Sequence, residues 1–514
     1  MARSKVVVLF CLCVCFLSAA AMAADYTVVT EAGERQLFLD DYVIAEINQL
    51  HRTMHQPDKK GAVIRPSPEE RVIQARGAPF WDSKDNVFKY WINGLRVSQD
   101  GLHWIKADKQ PKLPVKITGA GLVFYDSIDS DRDRRYKAWS PASFQVSPDG
   151  LNWTKLDTPP IPSEDEANFS LDHKSGLYIA TVKHDGIYGR SVFLSTSKDF
   201  ENWTDPKLIF EADEFDQELA RRQIERCFGD PTRRHPEYNI AEHYGLDVYN
   251  MAVFRYEGLY VGLPLMFHHT GTVTKQWAGF DRMNLSDDIL GLVRKIGDYT
   301  GFHHVQLACS RDLHHWNRLG DRKPFIDLSP EGTGAYDTQT MGPPANALVR
   351  GDELWFYYTG SKQYAFISSG GKPGYDDYYP DAGAVCLAVL RRDGFISLDA
   401  GGESGSIVTK VLRVPEGARK LLVNVAVPEG ELSAVLLNSS AQPLEGFIVS
   451  QVVPVPGATT RAYPLPLESR PIRGDHPQAE VTWEGHRDLS ALSGKEIRIR
   501  FHLRQGSFYS FWFE

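Results

Sequence analysis

Three carboxylates in this chain stand where a turn passes into an apolar, strand-like run. They are Glu166 before Ala167-Asn168-Phe169, Asp247 before Tyr249-Asn250-Met251-Ala252, and Asp337 ahead of Ala345-Asn346-Ala347. Asp165 adjoins Glu166, and Arg76 holds the comparable place before Ala78-Pro79-Phe80-Trp81. Carboxylates that face one funnel have a definite chemical use. Like charge and restricted solvation raise one pKa enough for proton donation, while another group stays ionised as base or nucleophile. In this reading Glu166 is the acid, Asp247 the base or nucleophile, and Asp337 the charge that orients a substrate or adjusts the acid.

Residues so far apart in sequence meet only if the chain is a radial array, and repeats supply one. Ser98-Gln99-Asp100-Gly101-Leu102-His103-Trp104 recurs at Ser147 to Trp153, Ser197 to Trp203 and Ser310 to Trp316, and Arg392-Asp393-Gly394-Phe395 repeats part of it without the Trp. The first copies lie at roughly 50-residue spacing, a period that suits propeller blades. Each copy follows two apolar runs, so the unit is a four-stranded antiparallel sheet with the Asp turn between its outer strands. Five blades fit. The motif tryptophans and aspartates do the same packing and turn-forming work in each copy.

The funnel of such an array needs walls. Tyr249, Tyr336 and Trp277 are candidates to stack on a ring with an apolar face. The pairs His268-His269 and His303-His304 flank a Gly-rich insertion. Neighbours on an extended segment point apart, so one His of each pair, not both, can reach a common ligand. His268, His269 and His303 are carried forward with Arg76, Asp165, Tyr249, Trp277 and Tyr336 as binding candidates. Asp40 and Asp41 also point to opposite faces, which favours a structural role.

The expected fold class is all-β, a five-bladed propeller over 76–398 followed by a β-sandwich over 399–514. Insertions occupy 211–245, with an amphipathic helix placing Phe215, Leu219 and Cys227 on one face, and 267–302. Residues 24–75 read as a strand, Gln36 to Ile44, packing under the propeller, then a loop from Pro57 to Pro68. Residues 1–23 fit a secretory signal: Arg3 and Lys5, an apolar run from Val6 to Phe16, and Ala21-Met22-Ala23. That predicts an exported protein, secreted or periplasmic.

The formal net charge of −9 opposes non-specific binding to nucleic acid or to anionic membrane. Beyond the leader no apolar run approaches the ~20 residues that span a bilayer. Cys227, Cys309 and Cys386 are an odd, widely spaced set with no CxxC pair, and read as buried thiols. No cofactor is implied and no metal ligands are assigned. Neither a Gly-rich phosphate loop nor a Gly-x-Ser-x-Gly elbow is present.

The repeated Ser-x-Asp-Gly-x-x-Trp element, the blade count and the appended β-domain resemble the five-bladed propeller glycosidases, the superfamily of glycoside hydrolase families 32, 43 and 68. Leu37-Phe38-Leu39-Asp40-Asp41-Tyr42, Asp165-Glu166-Ala167-Asn168 and Leu354-Trp355-Phe356-Tyr357-Tyr358 resemble secreted bacterial family-32-like proteins. The resemblance implies hydrolysis of a glycosidic bond in a poly- or oligosaccharide by paired carboxylates. Their separation would set the course, about 5 Å for retention and roughly 6.5–9.5 Å for inversion. The chain departs from the family at the first inner strand, which starts with Arg76 instead of an acid. A non-catalytic sugar-binding propeller and a protein-interaction scaffold are the alternatives.

Overall fold

The computed structural model describes residues 26–67, 73–112, 122–140, 142–164, 167–236, 238–279, 298–362, 381–453 and 461–514. Within them the chain forms five propeller blades and one further large sheet. Blade one is built from Phe80–Asp82, Val87–Trp91, Leu95–Ser98 and Ile105–Lys106, and blade two from Val123–Tyr125, Tyr136–Ser140, Ser143–Ser147 and Thr154–Lys155. Blade three is Ala167–Asp172, Leu177–Gly186, Gly189–Ser197 and Lys207–Phe210. Blade four is Gly245–Tyr256, Leu259–Val273, Ala308–Ser310 and Asn317–Arg318, with Asp298–Val305 paired to its second strand.

The repeated motif closes the outer hairpin of each of these blades by one set of bonds. Ser98 Oγ accepts the Gly101 amide at 2.9 Å, Asp100 Oδ1 accepts the Leu102 and His103 amides at 2.8 Å, and Trp104 Nε1 donates to the Gly101 carbonyl at 2.9 Å. The same set recurs around Ser147, Ser197 and Ser310. The turn needs a positive φ after the Asp, supplied by Gly101 and Gly150 but by Phe200 and Leu313 in the later copies. Both of those side chains are buried, which offsets a backbone strain of about 1–3 kcal/mol.

A second repeat joins blade to blade. In blades one to three the acid at the end of the inner strand accepts a phenol from the next blade: Tyr136 to Asp82 at 2.8 Å, Tyr178 to Asp126, and Tyr260 to Asp172 at 2.9 Å. These acids are buried, and each bond satisfies a group that would otherwise be expensive to enclose.

The N-terminal segment differs from expectation. Asp58–Ile64 is a strand, not a loop, and pairs with Gly383–Arg391 as the outermost strand of blade five, whose inner members are Thr340–Gly342, Leu348–Arg350 and Glu353–Ser361. Its lysines and mostly exposed face are those of a sheet edge. Gln36–Leu37, Ile44–Asn48 and His51–Met54 lie against the propeller, with Leu37 and Leu39 buried in the core of blades four and five. They pair with Gly506–Phe513, Gly405–Thr409 and Ile396–Ala400 in the C-terminal sheet.

That sheet takes the place of the expected sandwich as a single curled sheet. Its 11 strands are continuously hydrogen-bonded and curl round one core that includes Phe38, Leu421, Leu436, Ile499, Phe501 and Phe511. The incomplete motif copy lies at the junction. Asp393, fully buried, accepts from Arg35 at 2.7 Å, Tyr256 at 2.6 Å and Ser510 at 2.5 Å, tying the propeller to the sheet.

The predicted helix spans Glu214–Gly229 and is opened by a capping box between Asp213 and Asp216. Its buried face is Asp216, Ala220, Ile224 and Cys227, while Phe215 is exposed and Leu219 half-buried. Asp216 is the polar member of that face because Arg318 and Arg322 reach it. Cys227, Cys309 and Cys386 are free and buried. Asp40 takes a two-point contact from Arg311, and Asp41 pairs with Arg52. Among the described residues no helix is long and apolar enough to cross a membrane.

Candidate functional site

Blade four carries longer inner strands than blades one and two, and the extra length forms the candidate site. Residues 267–273 and 298–302 are arms of this extension, not a loop. Asp247 lies opposite Phe267, and Phe267 opposite His303, while His269 faces Gly301. Directly opposed residues share a face, and the face repeats every second residue. Asp247, Phe267, His269 and His303 therefore emerge on one side. The register slips between Val248 and Asn250, and this bulge turns Tyr249 toward the same side.

Blade three supplies the opposite wall through its own long hairpin. Arg190 Nη1 donates to Asp247 Oδ2 at 2.7 Å, and His269 Nε2 lies 3.0 Å from the same oxygen. Lys183 Nζ stands 4.6 Å above the Tyr249 ring, and the Arg190 guanidinium 5.4 Å from it. Tyr249 meets His303 edge-on at 4.8 Å, and His303 stacks on Phe267 at 4.6 Å. Asp247 is buried, and among the described residues its Oδ1 has no hydrogen-bond partner. Burial, reinforced by the Arg190 charge, holds the His303 imidazole well below the ordinary histidine pKa, so it is a neutral ring. Gln74, Arg76, Tyr249, His303, Met341 and Thr359 line a cavity of about 50 Å³ at this face.

Of the sequence candidates, Arg76, Asp247, Tyr249, His269 and His303 are brought together. His268 is not, because it alternates to the back of the hairpin. Its Nε2 lies 2.5 Å from Gln223 Oε1 of the helix, and its ring stacks on Phe302 at 4.5 Å.

Asp337 is not among the described residues that line the cavity. It lies within blade five, 2.7 Å from Lys59 Nζ and accepting from the Tyr358 hydroxyl at 2.9 Å. A lysine from the closing strand thus compensates this buried acid. Tyr336 bonds Asp381 and sits under Lys362 at 4.3 Å. Trp277 packs on Tyr238 at 5.3 Å. Asp165 and Glu166 lie outside the described residues.

Lys183, Arg190 and Phe267 were not singled out by sequence. The available signal was the length of their strands, since a hairpin that outgrows its blade must project at one end. Among the described residues no cluster of three His, Cys, Asp or Glu side chains is arranged to hold a metal ion.

No family model matches the chain, and no curated protein matches it. Solved structures to which it is similar include one titled glycoside hydrolase, at 12% identity and TM-score 0.37, covering 65% of this chain and 92% of that one. The catalytic domain of the Coprinopsis cinerea GH62 alpha-L-arabinofuranosidase gives 13% identity and TM-score 0.36, covering 65% of this chain and 97% of that one. The Bombyx mori GH32 beta-fructofuranosidase BmSUC1 gives 10% and 0.32, covering 91% and 93%. The fold assignment rests on the sheet order described above.

Proposed function

We propose that the chain is an exported glycoside hydrolase, secreted or periplasmic, that cleaves a glycosidic bond in a poly- or oligosaccharide at the face shared by blades three and four. One observation carries the reading: a buried carboxylate, Asp247, tethered through Oδ2 by Arg190 and His269, with Oδ1 unpartnered among the described residues, on the strand position opposite Phe267, whose ring meets that of Tyr249. A buried acceptor without a donor is unfavourable in the free protein, and a sugar hydroxyl or a water would satisfy it. The aromatic walls suit the C–H face of a pyranose or furanose.

Glu166 is assigned as the acid. It protonates the leaving oxygen as the C–O bond breaks. Asp247 either removes a proton from the water that attacks the anomeric carbon, or attacks that carbon itself to form a glycosyl ester, which water deprotonated by Glu166 then hydrolyses to free Asp247; either way one water is divided between the two products. Asp337, neutralised by Lys59, is given a structural role.

The purified mature protein is to be screened against soluble polysaccharides, with product anomers followed by NMR and its N-terminus by mass spectrometry. Glu166→Gln and Asp247→Asn are each expected to lose about 10²–10⁴-fold in kcat with the fold retained. Full turnover in either folded variant overturns the assignment. Binding without cleavage by the parent protein would make it a sugar-binding propeller instead.

A further inference from the structure

Blade three's long hairpin ends in the turn Gly186-Ile187-Tyr188-Gly189, in which Gly186 pairs with Gly189. Gly189 has φ +101°, a conformation that glycine adopts readily, at the close of this two-residue turn. The turn is braced on both sides. Glu211 Oε2 accepts the Ile187 amide at 3.2 Å, and a side chain at Gly186 would collide with Ser191 and Glu211. On the other side a Cβ at Gly189 would lie 3.1 Å from Asp247 Oδ2, and the next residue is Arg190, which holds that oxygen.

The two residues at this fixed tip are large and apolar, and both point outward: Ile187 is 82% exposed and Tyr188 40%. Exposed apolar residues are ordinary when scattered. Here an adjacent pair sits at the tip of the hairpin whose Gly189 and Arg190 meet Asp247 Oδ2. Packing within the fold does not account for such exposure, whereas contact with a bound chain does.

We infer that Ile187 and Tyr188 form a platform for a second sugar ring, next to the ring engaged at Asp247, so that the protein acts on oligomers in preference to single glycosides. This rests on the function proposed above. The ligand class is a neutral oligosaccharide whose C–H face lies on the tyrosine ring and whose edge meets the isoleucine.

The test is Ile187→Ala with Tyr188→Ala in the full mature chain. Substitutions at exposed positions leave the thermal midpoint within a few degrees. Affinity electrophoresis in xylan, arabinan, levan, galactan and mannan reads binding, and kcat/KM is measured on a ladder from disaccharide to hexasaccharide of whichever polymer is cleaved. The variant is expected to weaken retardation and to lower the hexasaccharide-to-disaccharide ratio of kcat/KM by about fivefold or more, the worth of one aromatic contact. An unchanged ratio and unchanged retardation, with cleavage intact, overturn the platform and leave the hydrolase reading standing. Weakened retardation in a parent protein that cleaves nothing supports the platform and removes the hydrolase reading. A parent protein that neither binds nor cleaves any of the five polymers overturns both.

Discussion

The blade-four hairpin has two faces made of nearly the same residues, and they do different work. On the front, His269 and His303 meet Asp247, Tyr249, Phe267 and the blade-three cations. On the back, His268 and His304 lie 4.6 Å apart, with His268 stacked on Phe302 and in contact with Gln223 of the Glu214–Gly229 helix. One residue of offset along a strand separates a histidine at the candidate site from one in a structural interface. Residue type alone therefore says little about function here, and the partner element says most of it.

The comparison can be broken most strongly from the back. Ile224 of the helix is fully buried, and Ile224→Ala is expected to destabilise the protein by about 2–5 kcal/mol. Denaturant melts measure that loss, while kcat per folded molecule stays unchanged. A changed kcat would show that the two faces are coupled.

Acid is the next lever. Burial pushes His304 down to about 4, and His268 in the same direction. Between the ordinary histidine pKa and about 4 the unfolded chain binds protons that the folded chain refuses. Stability is thus full above that window and falls as pH drops through it, by up to about 3 kcal/mol for His304. His304→Gln is expected to flatten the slope of unfolding free energy against pH, and an unchanged slope refutes the assignment.

The smallest effect distinguishes the faces most directly. His269→Gln is expected to lower kcat about tenfold, as loss of a positioned partner of Asp247, with little change in thermal midpoint. His268→Gln is expected to lower stability by about 1–2 kcal/mol without touching kcat. Reversed results would exchange the roles of the two faces.

Much of the propeller was legible because its signals are local. The Ser-Asp-Trp element is turn chemistry completed within seven residues, so repetition exposes it directly. The latches Asp82, Asp126 and Asp172 are equally regular, but their partners lie a blade away and only the fold reveals them. Asp247 was legible as an acid at the start of an inner strand. Asp337 met the same criterion yet faces Lys59, a residue on a segment whose Pro, Lys and Gly content imitates a loop. Edge strands carry that composition because one side of them meets water. Arg190 escaped notice because its role depends on two blades converging, a relation that one strand's sequence does not contain.

The strand Asp58–Ile64 has a consequence for how the molecule comes to exist. Its partner, Gly383–Arg391, is made only after four blades have emerged, so the ring stays open during most of synthesis. A nascent polypeptide in that condition carries an unsatisfied amide row on blade five and another on its own leading segment, and both invite pairing with a neighbouring chain. Closure is a long-range event and therefore slow. A circular permutant that begins after Ile64 would make the closing strand last, after Gly383–Arg391 and the C-terminal sheet, so that no unpaired leading strand waits through synthesis.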